Sequence, residues 1–219
     1  MLRNILPITF KHVEPRTIIP VIAGRITFSL GKWKELTCDP AILSAVTGYR
    51  IEIVLTPLQV TRPGPISFCH KTLLILTDKI ANFLAKGVIT ESSHEEGEFI
   101  SNIFLRPKKD GSFRIVLHLK DLNQFVKYQH IKMDSIHTCT QLMRSGCYMA
   151  CIDLKDAYYS VSIDKKHQKY LKFILDGTLY KFTCLAQGLS SAPRLFTKIM
   201  KPVFSHAASG EGEHINWLS

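Results

Sequence analysis

A chain of 219 residues, 46% hydrophobic and 21% charged, has the length for a real core, either in one large domain or in a small pair. That balance excludes global disorder, and no apolar run approaches the roughly 20 residues of a membrane span. The formal charge of +10 is uneven: residues 99–219 carry 17 Lys and Arg against 9 Asp and Glu, residues 1–98 carry 11 against 9.

An excess of cations in one half implies a polyanionic partner, with nucleic acid ahead of an acidic membrane because no basic amphipathic membrane helix appears. A merely soluble basic surface would carry the same charge. Thr17 to Ala23 is too short and too far inside the chain for a signal peptide, which makes an intracellular, reducing setting the default. The six cysteines, at 38, 69, 139, 147, 151 and 184, show neither a paired framework nor zinc-type spacing and read as small buried hydrophobes.

Taken in order, residues 1–60 carry scattered Pro and short apolar runs, Thr17 to Ala23 and Ile51 to Leu55, that could be strands. Trp33, Leu36, Ile42, Leu43 and Val46 suggest a small helical cluster ended by Gly48. Arg62-Pro63-Gly64-Pro65 then marks a boundary or linker. From Thr72 the apolar positions Leu73, Leu76, Ile80, Phe83 and Leu84 recur at three and four, with Gly87 placed to cap an amphipathic helix. Glu91 to Glu98 is polar and acidic, a surface loop in which His94 reads as solvated.

Two strand-like runs follow, Phe99 to Leu105 and Phe113 to Leu119, joined by RPKKDGS with Asp110-Gly111 as the turn. Lys108, Lys109 and Arg114 therefore gather at one end of a hairpin. Such a tip suits gripping phosphates, and equally suits keeping a hairpin soluble. Ser135 to Arg144 reads as a short helix and Cys147 to Leu154 as a strand that delivers Asp153. A carboxylate at the end of an apolar strand fits a divalent-metal site, although taken alone it fits a solvent-facing Asp as well. Tyr170 to Leu175 and Thr178 to Cys184 flank Asp176-Gly177 as a second hairpin. LAQGLSSAP then leads into a basic helix bearing Arg194, Lys198 and Lys201, with Leu195, Phe196, Ile199 and Val203 on its apolar face.

Together, IFLRPKKDGSFRIVLHLKDLN (Ile103 to Asn123), CIDLKDAYYSVSI (Cys151 to Ile163) and FTCLAQGLSSAPRLFTKIMKPV (Phe182 to Val203) resemble the reverse transcriptase domain of retroelements. The likeness is greatest to long-terminal-repeat-type and tyrosine-recombinase (DIRS-like) retrotransposons. It implies an α+β fold, the fingers and partial palm of a right-hand polymerase with an antiparallel sheet backed by helices, over residues 61–219. Residues 1–60 would be the segment preceding the polymerase. The resemblance makes Asp153 the first metal-binding and catalytic carboxylate, for Mg2+ or Mn2+, and Tyr158 the steric gate beneath the incoming sugar. Lys108 and Arg114 match finger cations that hold a triphosphate, and Gln187 and Gly188 a loop packing against nucleotide and template. Asp156 and Ala157 lie beside the nucleotide, with Asp156 orienting the turn rather than binding metal.

The expected partners are an RNA or DNA template-primer and deoxynucleoside triphosphates, with no membrane. Two-metal phosphoryl transfer needs several carboxylates, and the family's Tyr-x-Asp-Asp motif is absent from this sequence. Smaller departures are Ala186, where the family often has Pro, and His118, where Asn or Asp is usual. Three readings follow: a polymerase domain whose remainder lies on a longer product and which is inactive as this chain, a non-catalytic nucleic-acid-binding remnant, or a decayed reading frame.

Overall fold

The computed structural model describes residues 22–64, 66–130 and 154–209. The expected helix Ser135–Arg144, the strand up to Asp153 and Asp153 itself lie outside the described residues, as do Cys139, Cys147 and Cys151.

The first helices form where the apolar cluster around Trp33 suggested. Helix α1, Leu30–Leu36, buries Trp33, and α2, Pro40–Gly48, buries Ile42, Ala45 and Val46. Helix α2 starts at a cap made by sequence alone: the Ala41 N–H donates to Asp39 Oδ1 at 2.8 Å, with Pro40 in the first turn, where a missing N–H costs nothing. The Asp39 carboxylate also meets Lys198 Nζ at 3.2 Å, tying α2 to the expected basic helix, α4, Ala192–Ser209. Ile51 to Leu55, expected as a strand, instead makes a single antiparallel bridge, Ile53 to Val126. Ile51 is buried there, but Val54 and Leu55 face solvent, and the run joins no sheet among the described residues.

Helix α3, His70–Ala85, begins two residues before the periodicity and buries Leu76 and Ile80. Gly87, at φ 68°, closes it: its N–H reaches the Leu84 carbonyl and the Val88 N–H the Phe83 carbonyl, the paired bonds of a Schellman cap. The chain runs directly into β1, Ile89–Glu91. That strand joins an antiparallel sheet of order β1-β5-β4, in which β4, Lys172–Leu175, and β5, Thr178–Phe182, form the second hairpin. Its turn residues Asp176 and Gly177 both have positive φ, 47° and 76°, which is the primed geometry that matches strand twist and favours an Asp-Gly pair.

The first hairpin consists of β2, Ile103–Pro107, and β3, Phe113–Leu117. It is shifted from the sequence expectation. Arg106 and Pro107 belong to the strand, whereas residues 99–101 leave the hairpin and run beside the start of β4, with the Ser101 N–H on the Lys172 carbonyl at 2.8 Å.

An ion cluster explains that departure. Lys172 is fully buried, and its Nζ sits 2.9 Å from Glu98 Oε2, 2.9 Å from Glu95 Oε1 and 2.8 Å from the Ser93 carbonyl. Glu98 accepts further from Arg62 at 3.0 Å, from the Glu95 N–H at 3.1 Å, and lies 2.6 Å from His94 Nδ1. The acidic stretch is therefore folded around a buried cation; His94 is solvent-exposed, as expected, and adds a contact to Glu98 from the rim. A charge inside the protein must be paired and hydrogen-bonded, and Lys172 uses all three of its donors.

One core joins these parts. Trp33, Val46, Tyr49 and Ile51 pack with Leu76, Leu122, Ile163, Phe173, Leu185 and Ile199. Backbone bonds reinforce it, from the Tyr49 N–H to the Ser162 carbonyl at 2.8 Å and from the Gly24 N–H to the Tyr159 carbonyl at 2.8 Å. Of the three cysteines among the described residues, Cys184 meets the expectation of a buried hydrophobe, whereas Cys38 and Cys69 are exposed.

Candidate nucleotide-binding site

The turn after Asp153 is a short 3-10 segment, Ala157–Ser160, entered through Asp156 in the left-handed region at φ 53°. Asp tolerates that conformation because its short side chain finds local or neighbouring partners. Here the Asp156 carboxylate takes Lys86 Nζ at 3.0 Å, from the residue that caps α3, while its backbone carbonyl accepts the Tyr159 N–H. The turn is thus fixed to the end of α3. It sends Tyr159 inward, edge-on to Phe83 at 5.2 Å, and leaves Tyr158 half-buried against Phe196 at 5.5 Å. Burial raises the Tyr158 phenol above its ordinary value, so the hydroxyl stays protonated at neutral pH.

The loop that follows β5 approaches the first hairpin. Cys184, Leu185 and Ala186 are fully buried; Ala186 occupies the position where Pro was expected, and its carbonyl accepts the Leu189 N–H. Gly188, at φ 112°, lies so close to β3 that a Cβ there would overlap the Leu117 carbonyl oxygen. Gln187 receives the Leu117 N–H on its carbonyl at 3.2 Å. Asn123 closes the arrangement with both ends of its amide: Nδ2 donates to the Gly188 carbonyl at 2.9 Å and Oδ1 accepts the Ser190 N–H at 2.9 Å. Asn123 stands at the end of the first quoted motif, but the partners of its side chain lie 65 and 67 residues away, a distance no periodicity reveals.

The outer face of the hairpin carries Phe104 and Arg106 on β2 opposite Val116 and Arg114 on β3. The Val116 side chain faces the Gly188 position, and the Arg114 charge reaches the Tyr159 hydroxyl, which burial holds well above its ordinary value and Arg114 draws back down. Arg114, Gln187, Gly188 and the turn Asp156 to Tyr158 are thereby brought to one side of the molecule. Lys108 stays apart at the exposed tip, where its backbone closes the turn through the Ser112 carbonyl and the Gly111 N–H. Asp110 is occupied locally, accepting from the Ser112 N–H and hydroxyl. His118 is exposed and stands edge-on to Phe104 at 6.3 Å.

Comparison with known proteins gives this arrangement a lineage. The profile of the reverse transcriptase (RNA-dependent DNA polymerase) family matches residues 106–216, half of the chain. The chain belongs to the reverse transcriptase family. Among curated relatives, the Transposon Tf2-3 polyprotein of Schizosaccharomyces pombe is 25% identical over 132 residues, 60% of this chain and 10% of the relative. The Transposon Tf2-7 polyprotein of the same organism is 26% identical over 121 residues, 55% of this chain and 9% of the relative. Among solved structures, native prototype foamy virus protease-reverse transcriptase aligns with a TM-score of 0.57 at 20% identity, over 78% of this chain and 22% of that one. A foamy viral protease-reverse transcriptase complex with double-stranded DNA gives 0.57 at 19%, over 89% and 37%. These likenesses agree with the expected α+β polymerase fold and with a retrotransposon-type domain. The chain spans about a tenth of the curated relatives it matches.

Membership of the reverse transcriptase family implies a divalent metal. Among the described residues no three His, Cys, Asp or Glu side chains gather as a metal site, and the Asp156 carboxylate is held by Lys86. Asp153 lies outside the described residues, and no metal-dependent step is derived from those that are described. No helix among the described residues is long and apolar enough to cross a membrane.

Proposed function

We propose that residues 61–219 of this reverse transcriptase domain form fingers and partial palm that hold a template-primer and an incoming deoxynucleoside triphosphate within a retrotransposon polymerase of intracellular setting. Residues 22–60 brace the palm side. Lys108 and Arg114 contribute charge to the triphosphate, Gln187 and Gly188 line the nucleotide, Tyr158 sits beneath its sugar, and Asp156 with Ala157 sets the turn that carries Tyr158. Asp153 is the metal-binding carboxylate for Mg2+ or Mn2+. The observation that carries this reading is the docking of the 184–190 loop onto β3 through Asn123, Gln187 and Gly188, on the side to which Arg114 points.

The chemistry of the family is attack of a primer hydroxyl on the α-phosphate with departure of pyrophosphate, and two dications need more anionic ligands than Asp153 supplies. No Tyr-x-Asp-Asp sequence occurs in these 219 residues. The present chain is thus expected to bind RNA–DNA hybrid without extending the primer. Fluorescence anisotropy on a labelled hybrid checks the first part: affinity should fall at least tenfold between about 50 and 200 mM salt as counterions compete for the phosphates. Salt-independent binding, or none, would remove this reading. Primer extension with Mg2+ or Mn2+ checks the second, and robust synthesis would show that the carboxylate count is wrong.

A further inference from the structure

The antiparallel register of the first hairpin sets Arg106 directly opposite Arg114. Residues paired in this way have Cβ atoms only about 4.5–5.5 Å apart on one face, and like charges there repel. Neither arginine has an ion pair among the described residues. Arg106 instead lies over the Phe104 ring, 6.0 Å from its centroid, a contact that steadies a guanidinium without neutralising it. Both side chains are exposed on the face whose next residue, Val116, meets Gly188. Two guanidiniums held together with no carboxylate partner among the described residues make a fork for phosphate oxygens, each able to give two parallel hydrogen bonds.

We infer that Arg106 is a phosphate-binding residue that shares one phosphate group with Arg114, so that the hairpin grips the polyphosphate of a nucleotide with a paired clamp rather than with Arg114 and Lys108 alone. The inference rests on the nucleotide-binding reading above and adds to it a residue from β2. A phosphodiester of a nucleic-acid strand has the same oxygens, and the nucleotide is favoured because the arginine face looks toward the loop and turn that would enclose a sugar and base.

Repulsion gives the test its sign. Arg106→Gln removes a like charge from the folded hairpin, so its thermal midpoint should stay level or rise while affinity for inorganic tripolyphosphate falls about tenfold, the value of one charge-assisted hydrogen bond. Arg106→Lys should recover only part, since an ammonium lacks the fork. The double change with Arg114→Gln should lose less than the product of the two single losses, as expected of groups on one phosphate. Calorimetric titration of the whole chain with tripolyphosphate, and separately with a short oligodeoxythymidylate, reads these values. A fallen midpoint with unchanged tripolyphosphate affinity would make Arg106 structural and overturn the clamp. Loss confined to the oligonucleotide would overturn it in favour of a strand contact. Should Arg114→Gln weaken tripolyphosphate and Arg106→Gln not, the clamp fails and the nucleotide reading stands; if neither weakens it, both fail.

Discussion

Gly188→Ala should undock the 184–190 loop from β3 and destabilise the protein by about 2–4 kcal/mol. Two costs combine. The backbone at φ 112° is one that residues with a Cβ rarely adopt, and the added methyl would run into the Leu117 carbonyl oxygen, a backbone atom that cannot rotate away. Relief requires the loop to lift. Lifting breaks the Leu117 N–H bond to Gln187 and both Asn123 contacts, so the buried Leu117 amide and the half-buried Asn123 side chain lose partners at the same moment. Urea unfolding measures the loss of stability, and hydrogen exchange locates it: the Leu117 amide should lose protection in the variant beyond any global change. An unchanged midpoint with the Leu117 amide still protected would mean the loop is not seated on β3 in solution. Because the loop carries Gln187, the same variant should also weaken nucleotide binding.

Lys172→Met should cost about 3–5 kcal/mol, because it leaves Glu98 buried and stripped of its main cation. Arg62 and His94 remain near Glu98, which keeps the loss from being larger. The double change Lys172→Met with Glu98→Gln should recover part of the loss, since no buried charge is then left over. The same cluster sets an acid limit. Burial alone would raise the Glu98 carboxyl, but the hydrogen bond from Lys172, then those from His94 and the Glu95 N–H, outweigh it and hold the group at about 2 against an ordinary 4.5. A depressed carboxyl stabilises the fold above its unfolded value and loses that contribution as pH falls toward the folded one. Stability on the order of 3 kcal/mol should therefore drain away between about pH 4.5 and pH 2, and Glu98→Gln should flatten this part of the profile. Denaturant midpoints taken across that range decide the matter; parallel profiles would place the acid sensitivity elsewhere.

The hairpins, the amphipathic helix and the basic helix were legible because their signals are local. Asp-Gly pairs force tight turns, a Gly two residues beyond the last helical residue closes α3, and a three-and-four spacing of apolar residues needs no knowledge of what it packs against. The three quoted motifs likewise pointed to the polymerase family from their order alone. Strand ends were less legible. Phe99 to Ser101 looked like the start of β2 because its residues are apolar, yet Glu98 bound to Lys172 draws that stretch to the edge of β4.

Turns, helix caps and the family were readable from the chain alone, since turn geometry, cap residues and motif order are properties of neighbouring residues. Tertiary structure alone decided which distant groups meet. Lys86 fixes Asp156 from 70 residues away, Asn123 holds a loop 65 residues on, and Lys172 lies inside an acidic stretch that reads as solvent-facing. The register of one hairpin brought Arg106 against Arg114, although nothing in the run RPKKDGSFR says which cations share a face. Such pairings follow from how the chain packs, because a buried charge or amide is tolerable only where the fold supplies its partner.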